Sequence, residues 1–285
     1  MDSRTMTLIQ AIVIAILQGA TELFPVSSLG HAVIVPALLG WAFDPHGEIF
    51  LPFLVMLHLG TAIALLVYFR NDWAAIFQGL RGRDGSQRQA ESIHILALLV
   101  VATIPAVIIG GLLEHWLRAL FGTARYAAIF LFLNGLLLLL TERMKSRQPV
   151  QGGYAIASLT YADAAIIGLW QCLAFLPGIS RSGATIIGAL FRGLNHEGAA
   201  RFSFLMAQPV IIAATVREAL HMRHVAIPPG QMQVATIGAM VAAVTALAST
   251  AFLMRYFHNH ERWALSPFGY YCVLAGAVSF FILGH

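Results

Sequence analysis

Six stretches of this chain stay apolar for about 18 to 24 residues, long enough to cross a hydrocarbon layer of about 30 Å as helix. They fall near Phe50–Phe69, Ile93–Leu113, Ala124–Thr141, Phe202–Leu220, Val234–Phe257 and Trp263–Leu283. Hydrophobic residues make up 59% of the chain and charged residues 11%, against about a quarter charged in soluble domains. The fold class that follows is an all-α polytopic membrane protein with six transmembrane helices, built as a single membrane domain over residues 1–285.

Two further apolar segments are interrupted close to their middles. The first, Leu17 to His31, places a carboxylate at Glu22, breaks at Pro25 and restarts through Ser27, Ser28 and Gly30. The second, Trp170 to Thr185, breaks at Pro177-Gly178 and restarts through Ser180, Arg181, Ser182, Gly183 and Thr185. Each half is too short to span, so both segments read as re-entrant broken-helix pairs, near residues 7–40 and 159–194. Together they read as two halves of one polar site.

Net charge is +4, and the basic residues are scattered among loops, which disfavours nucleic acid as a partner. Their distribution speaks to topology instead. If each broken segment enters and leaves on one side, Arg70, Arg81, Arg83, Arg88, Arg143, Lys145, Arg147, Arg192, Arg201, Arg255 and Arg262 lie inside. Arg4, Arg118, Arg125, Arg217 and Arg223 lie outside, so both termini are expected outside. The two broken segments then enter from opposite sides, the mark of an inverted repeat with its site near the midplane. The first repeat covers 1–141 and the second 156–285. The Arg4-led apolar start carries no clean cleavage site before Glu22 and is expected to be retained.

Trp73, Ile76, Phe77 and Leu80 share one helical face and predict a short helix lying on the inner leaflet. Pro228-Pro229-Gly230 stops a helix and turns the chain. Cys172 and Cys272 are the two cysteines, expected as buried filler without a disulfide or metal role.

A charge at membrane depth costs several kcal/mol by most scales, about 3 or more, and is a functional candidate by default. Glu22 and Arg181 are the two such groups, against readings as a packing carboxylate and a snorkelling side chain. Small and hydroxyl residues opening two helices leave backbone N–H groups for an anion. With Arg181 they suit one or more phosphate groups; each serine alone reads equally as a helix cap. His31, three residues after Ser28, shares a face with it and pairs as base with nucleophile, or serves packing alone. Gln18 sits one turn before Glu22 and orients it, and His58 lies within reach from the first span.

Gln18-Gly-Ala-Thr-Glu22 with Phe24-Pro-Val-Ser-Ser-Leu-Gly-His31 resembles the first signature of the bacterial undecaprenyl-diphosphatases, the bacitracin-resistance phosphatases of the inner membrane. Pro177-Gly-Ile-Ser-Arg-Ser-Gly-Ala-Thr185 resembles their second, and Phe202-Ser-Phe-Leu-Met-Ala the segment that follows. The resemblance implies hydrolysis of undecaprenyl diphosphate to the monophosphate that carries cell-wall precursors, in the bacterial inner membrane. It implies catalytic roles for Glu22, Ser28, His31 and Arg181, with Ser180, Ser182 and Thr185 around the phosphates; the pattern of the residues themselves adds Ser27, Gly30 and Gly183 at the helix starts and Gln18 and His58 in support. Many members carry Glu where this chain has Gln18, which weakens a divalent metal, magnesium or calcium, held at Glu22. The nucleophile is Ser28, or water activated by Glu22 and His31; the sequence supports both. The competing class is a secondary transporter or flippase of a polyprenyl phosphate lipid. A homodimer is compatible with the chain, and nothing in it fixes the oligomeric state.

Overall fold

The computed structural model describes residues 6–41, 50–82, 85–120, 123–145, 155–221 and 229–284. Arg4, Arg83, Arg147, Arg223 and Pro228, used above for topology and turns, lie outside the described residues, as does the side chain of Arg118.

Among the described residues every regular element is a helix: α1 (Leu8–Thr21), α2 (Ser28–Leu38), α3 (Phe50–Tyr68), α4 (Arg70–Leu80), α5 (Ser86–Leu120), α6 (Ala124–Lys145), α7 (Tyr161–Gln171), α8 (Arg181–Phe191), α9 (His196–His221), α10 (Pro229–Asn259) and α11 (Ser266–Ile282). Single 3₁₀ turns occupy Ile156–Ser158 and Cys172–Phe175. Four helices are long and apolar enough to cross a membrane: Ser86–Leu113, Ala124–Lys145, His196–Arg217 and Gly230–Asn259. A fifth arises if α3 and α4, which meet at a 66° bend, form one broken span. Outward faces remain apolar, with Val107, Leu112, Val244 and Phe281 all exposed. The chain is therefore a multi-pass membrane protein.

The broken segments both form helix pairs. Thr7 caps α1 in a capping box with Gln10, and Thr160 caps α7 in the same way with Asp163. The N-cap hydroxyl takes one orphan N–H while the side chain three residues on takes the N-cap's own N–H. At about 1.5 Å per residue, the 14 residues of α1 and the 11 each of α2, α7 and α8 fall short of a membrane crossing.

Hydrocarbon tails are as apolar as leucine, so burial of apolar area in lipid drives helix association weakly and close backbone approach matters more. Glycines supply that approach. A Cβ on Gly19 of α1 would lie 2.5 Å from the Ala242 carbonyl of α10, and one on Gly168 of α7 would lie 2.2 Å from the Ala102 carbonyl of α5. Gly60 places α3 on α10 at Ala239, while Gly135 and Gly276 seat α6 and α11 on one another. α3 also crosses α9, with Phe69, Phe202, Phe204 and Phe257 fully buried in the core that they share with α10.

The start of the last helix and the surroundings of the amphipathic helix differ from the sequence expectation. The last helix starts at Ser266, three residues after Trp263, because Trp263 has a φ of +60° and its N–H, with that of Leu265, donates to the buried Glu142 carboxylate at 3.0 and 2.8 Å. His196 Nε2 bonds the same carboxylate at 2.7 Å, tying α6, the start of α9 and the turn before α11. The amphipathic helix forms as α4, but its face is divided. Ile76 is buried and Gly79 lies against Ser92 of α5, Trp73 donates to Gln208 of α9 at 2.6 Å, and Phe77 remains exposed. Protein therefore covers part of the surface that periodicity assigned to lipid. Cys172 and Cys272 are both free thiols.

Candidate functional site

The two helix breaks touch. α1 ends with Glu22 as its C-cap, and the chain passes Phe24 and Pro25 before α2 begins at Ser28. α7 gives way to its 3₁₀ turn and then to Pro177-Gly178 before α8 begins at Arg181. A Cβ on Gly30 would lie 3.1 Å from the Gly178 Cα, and one on Gly183 would lie 3.3 Å from the Pro25 Cβ. Ser180 Oγ and Ser182 Oγ both donate to the Phe24 carbonyl, at 3.3 and 3.0 Å. Gly178 has a φ of +111°, a region L side chains rarely adopt, and a Cβ there would lie 2.3 Å from the Ala127 carbonyl and 2.7 Å from the Leu131 nitrogen of α6. Backbone cannot yield as a side-chain tip does. Gly178→Ala is expected to cost about 2 kcal/mol or more, seen as a lower melting temperature in detergent; an unchanged melting temperature would contradict this seating.

The two helix starts follow one plan. Ser27 is the N-cap of α2 and accepts from the Gly30 N–H; Ser180 is the N-cap of α8 and accepts from the Gly183 N–H. These hydroxyls therefore act as caps. Helix geometry leaves the N–H groups of Ser28 and Leu29, and of Arg181 and Ser182, without intrahelical acceptors. The residue immediately after each cap is the one with chemistry: Ser28 in one helix, Arg181 in the other. Ser27 holds a φ of +69°, one of two positive values among described non-glycine residues, a strain that functional sites commonly carry.

Ser28 Oγ donates to Glu22 Oε2 at 2.6 Å, and Gln18 Nε2 donates to the same oxygen at 3.0 Å. Arg181 Nη2 donates to Glu22 Oε1 at 3.1 Å, whereas its buried Nη1 has no hydrogen-bond partner. His58 sends Nδ1 to the Leu54 carbonyl at 2.8 Å. A carbonyl only accepts, so Nδ1 carries the proton and, in the neutral ring, Nε2 presents its lone pair. That Nε2 lies 3.6 Å from Glu22 Oε2. Glu22, Ser27, Ser28, His58, Ser180 and Arg181 are the polar and charged residues, with Thr215, that line a cavity of about 360 Å³. Leu29, Leu54, Val55, Ala174, Ile179, Val210, Ile211 and Ala214 line it as well. A charged head and an apolar body meet in one cavity.

The remaining predicted residues lie elsewhere. His31 does not pair with Ser28: its Nδ1 bonds the Ser27 carbonyl at 2.6 Å and its Nε2 the Tyr271 hydroxyl at 2.8 Å, with the two rings stacked. Ser28, the first helical residue, turns back toward Glu22, while His31 one turn on is drawn to α11. Ser182 is committed to Phe24, and Thr185 bonds the Arg181 carbonyl and Ser203 Oγ, at 2.9 and 2.5 Å. Gly30 and Gly183 serve the close contact and the caps. Sequence reasoning passed over Asn134 and Tyr271. Asn134 is a polar side chain inside the apolar run of α6, the same signal that singled out Glu22.

The donor set does not fit a metal held by protein alone. Glu22 is the one carboxylate lining the cavity, and Arg181, Ser28 and Gln18 already engage both its oxygens. Among the described residues no three His, Cys, Asp or Glu side chains gather as a metal site.

Fold and site thus define a polytopic membrane protein with a cavity at the meeting of two broken helices, lined by Glu22, Ser28, His58 and Arg181 and by apolar side chains. The family model described as bacitracin resistance protein BacA matches residues 11–278, and the chain belongs to that family. Its curated relatives include the undecaprenyl-diphosphatase of Gluconobacter oxydans (strain 621H), 59% identical over 271 residues that cover 95% of this chain and 97% of the relative. Those of Granulibacter bethesdensis and Acidiphilium cryptum are 55% and 54% identical, over 97% and 98% of this chain and 97% and 99% of the relatives.

Proposed function

We propose that this protein hydrolyses undecaprenyl diphosphate to undecaprenyl phosphate and inorganic phosphate, returning the lipid carrier to peptidoglycan synthesis. The observation that carries the reading is Arg181 Nη1, a buried cationic N–H with no partner, at the polar head of an otherwise apolar cavity. A buried donor costs free energy unless something accepts from it, and a diphosphate brings acceptors of opposite charge. The names and high identity of the relatives point the same way.

Arg181 and the orphan N–H groups of α2 and α8 hold the diphosphate and stabilise charge developing on the transferred phosphoryl group. Ser28 attacks the terminal phosphorus, its proton passes to Glu22, and the bond between the two phosphorus atoms' bridging oxygen and the terminal phosphorus breaks. Undecaprenyl phosphate leaves, and water then cleaves the phosphoserine to release phosphate. Ser28 is preferred over water because the Glu22 oxygen that would serve as base already accepts from its hydroxyl. His58 relays the proton from Glu22, and His31 anchors the helix start through the Ser27 carbonyl. A divalent cation, magnesium or calcium, would need the diphosphate's own oxygens as ligands beside Glu22, and no step of the reaction runs through it. The prenyl chain enters sideways from the bilayer into the apolar lining.

The same proposal takes the chain as one membrane domain of two inverted repeats, 1–141 and 156–285, with α11 as sixth span, both termini outside and the site in the outer half of a bacterial inner membrane. Support comes from the packing: exchanging the halves turns α1 on α10 into α7 on α5 and α3 on α10 into α9 on α5, and leaves α3 on α9 and α6 on α11 unchanged. Purified protein in detergent is expected to release phosphate from undecaprenyl diphosphate in preference to inorganic pyrophosphate, which lacks the tail. Binding of the lipid with no release, with or without added magnesium or calcium, would replace the hydrolase by a lipid transporter.

A further inference from the structure

We propose that Asn134 is the positioning residue that holds both broken helices in register, and so sets Ser28 and Arg181 against one another. Breaking a helix leaves backbone groups without partners, and at membrane depth no water satisfies them. One side chain answers both breaks. Asn134 Nδ2 donates to the Pro25 carbonyl at 2.9 Å, and Asn134 Oδ1 accepts from the Ser180 N–H at 3.0 Å. Pro25 lies three residues before Ser28, and Ser180 immediately precedes Arg181. The amide is almost fully buried on α6, a spanning helix that belongs to neither break. A side chain that donated only, or accepted only, would leave one break unpaired. The carboxamide is thus selected by chemistry as well as by size. Asn134 lines no part of the cavity and acts through the two helix starts.

The proposal rests on the hydrolase reading, so its test carries an internal control. Asn134→Leu keeps the branching at Cγ and loses both bonds; kcat/KM for phosphate release is expected to fall by about 100-fold, the scale of a misplaced reacting group. Because that variant can fail to fold, the decision rests on Asn134→Asp. As carboxylate it accepts from Ser180 but repels the Pro25 carbonyl; once protonated, its O–H donates to Pro25 and both bonds return. Among the titratable and charged groups on the elements packed here, Cys272 Sγ of α11 lies 3.5 Å from Asn134 Nδ2, Tyr271 of α11 bonds His31 of α2, and Arg181 of α8 bonds Glu22 at the first break. All are present in wild type, so the ratio of variant to wild-type rate at each pH cancels their own effects. That ratio is expected to rise by about tenfold as the pH falls from neutral to acid, and the melting temperature of the variant to approach that of wild type over the same range. A ratio and a melting-temperature difference that both stay flat with pH, or an Asn134→Leu variant as active as wild type, would overturn the proposal. Phosphate release by wild type in the same preparation separates that outcome from failure of the hydrolase reading.

Discussion

Arg181→Ala is expected to lower kcat/KM for phosphate release from undecaprenyl diphosphate by about 10³-fold or more, the scale seen when an arginine that stabilises a transferring phosphoryl group is lost. The size follows from two simultaneous losses. The guanidinium holds Glu22 Oε1 through Nη2 and keeps Nη1 free for the substrate. Removal takes away the positive charge facing the terminal phosphate and leaves Glu22 with no cation in hydrogen-bonding reach, in a setting that repels the incoming anion. Arg181→Lys separates the two. An ammonium is a point charge without the planar fork, so it serves Glu22 or the phosphate but cannot hold both in the observed geometry. Lysine is therefore expected to restore binding more than turnover, visible as a KM near wild type with a depressed kcat.

Glu22→Gln is expected to lower kcat by about 10² to 10⁴, the contribution of a positioned general base. The substitution is isosteric, so the cavity keeps its shape. What it loses is the acceptor charge to which Ser28 passes its proton across 2.6 Å. The amide also leaves Arg181 without an anion. Substrate then supplies the missing negative charge, so KM is expected to stay level or fall while kcat collapses. A variant that keeps wild-type kcat would remove Glu22 from the proton path. The pattern differs from that of Arg181→Ala, in which binding and turnover fall together, and measurement of both parameters for both variants separates the roles.

Much of this was legible in the amino-acid order, for identifiable reasons. Pro25 and Pro177 remove backbone donors and are followed by serine and glycine restarts, so both breaks could be read; proline alone is not enough, since Pro36, Pro105 and Pro209 lie inside helices. Glu22 and Arg181 stand out because charge inside an apolar run is costly, and each lies at the cavity head. The sequence sets Ser28 apart from the other restart serines but does not say which of them cap. Ser27 and Ser180 occupy the N-cap positions, and Ser28, one residue on, bonds Glu22. His31 shows the limit of spacing arguments. Residues three apart share a helical face, yet Ser28 sits in the first turn, where Glu22 lies within reach, and His31 meets Tyr271, 240 positions away. Long-range partners of that kind leave no local signature. Trp263 likewise belongs to an apolar run but turns outside the helix, because Glu142, far off in sequence, captures the backbone that follows α10.

Closure of the two breaks onto one another also accounts for the location of this chemistry. Burial of Glu22 strengthens its interaction with Arg181 relative to the same pair in water. Apolar residues line the same cavity as Arg181, so on the proposed reading a diphosphate meets Arg181 while its tail lies among apolar groups.

The most direct measurement is phosphate release from undecaprenyl diphosphate by wild type and Ser28→Ala, purified and assayed side by side at saturating lipid. Loss of one hydroxyl leaves the cavity, Arg181 and Glu22 in place. A loss of about 10³-fold or more in kcat with lipid binding retained is the predicted result, on the scale of removing a reacting nucleophile. A Ser28→Ala rate within a few-fold of wild type would contradict Ser28 as the attacking group and pass that role to water beside Glu22.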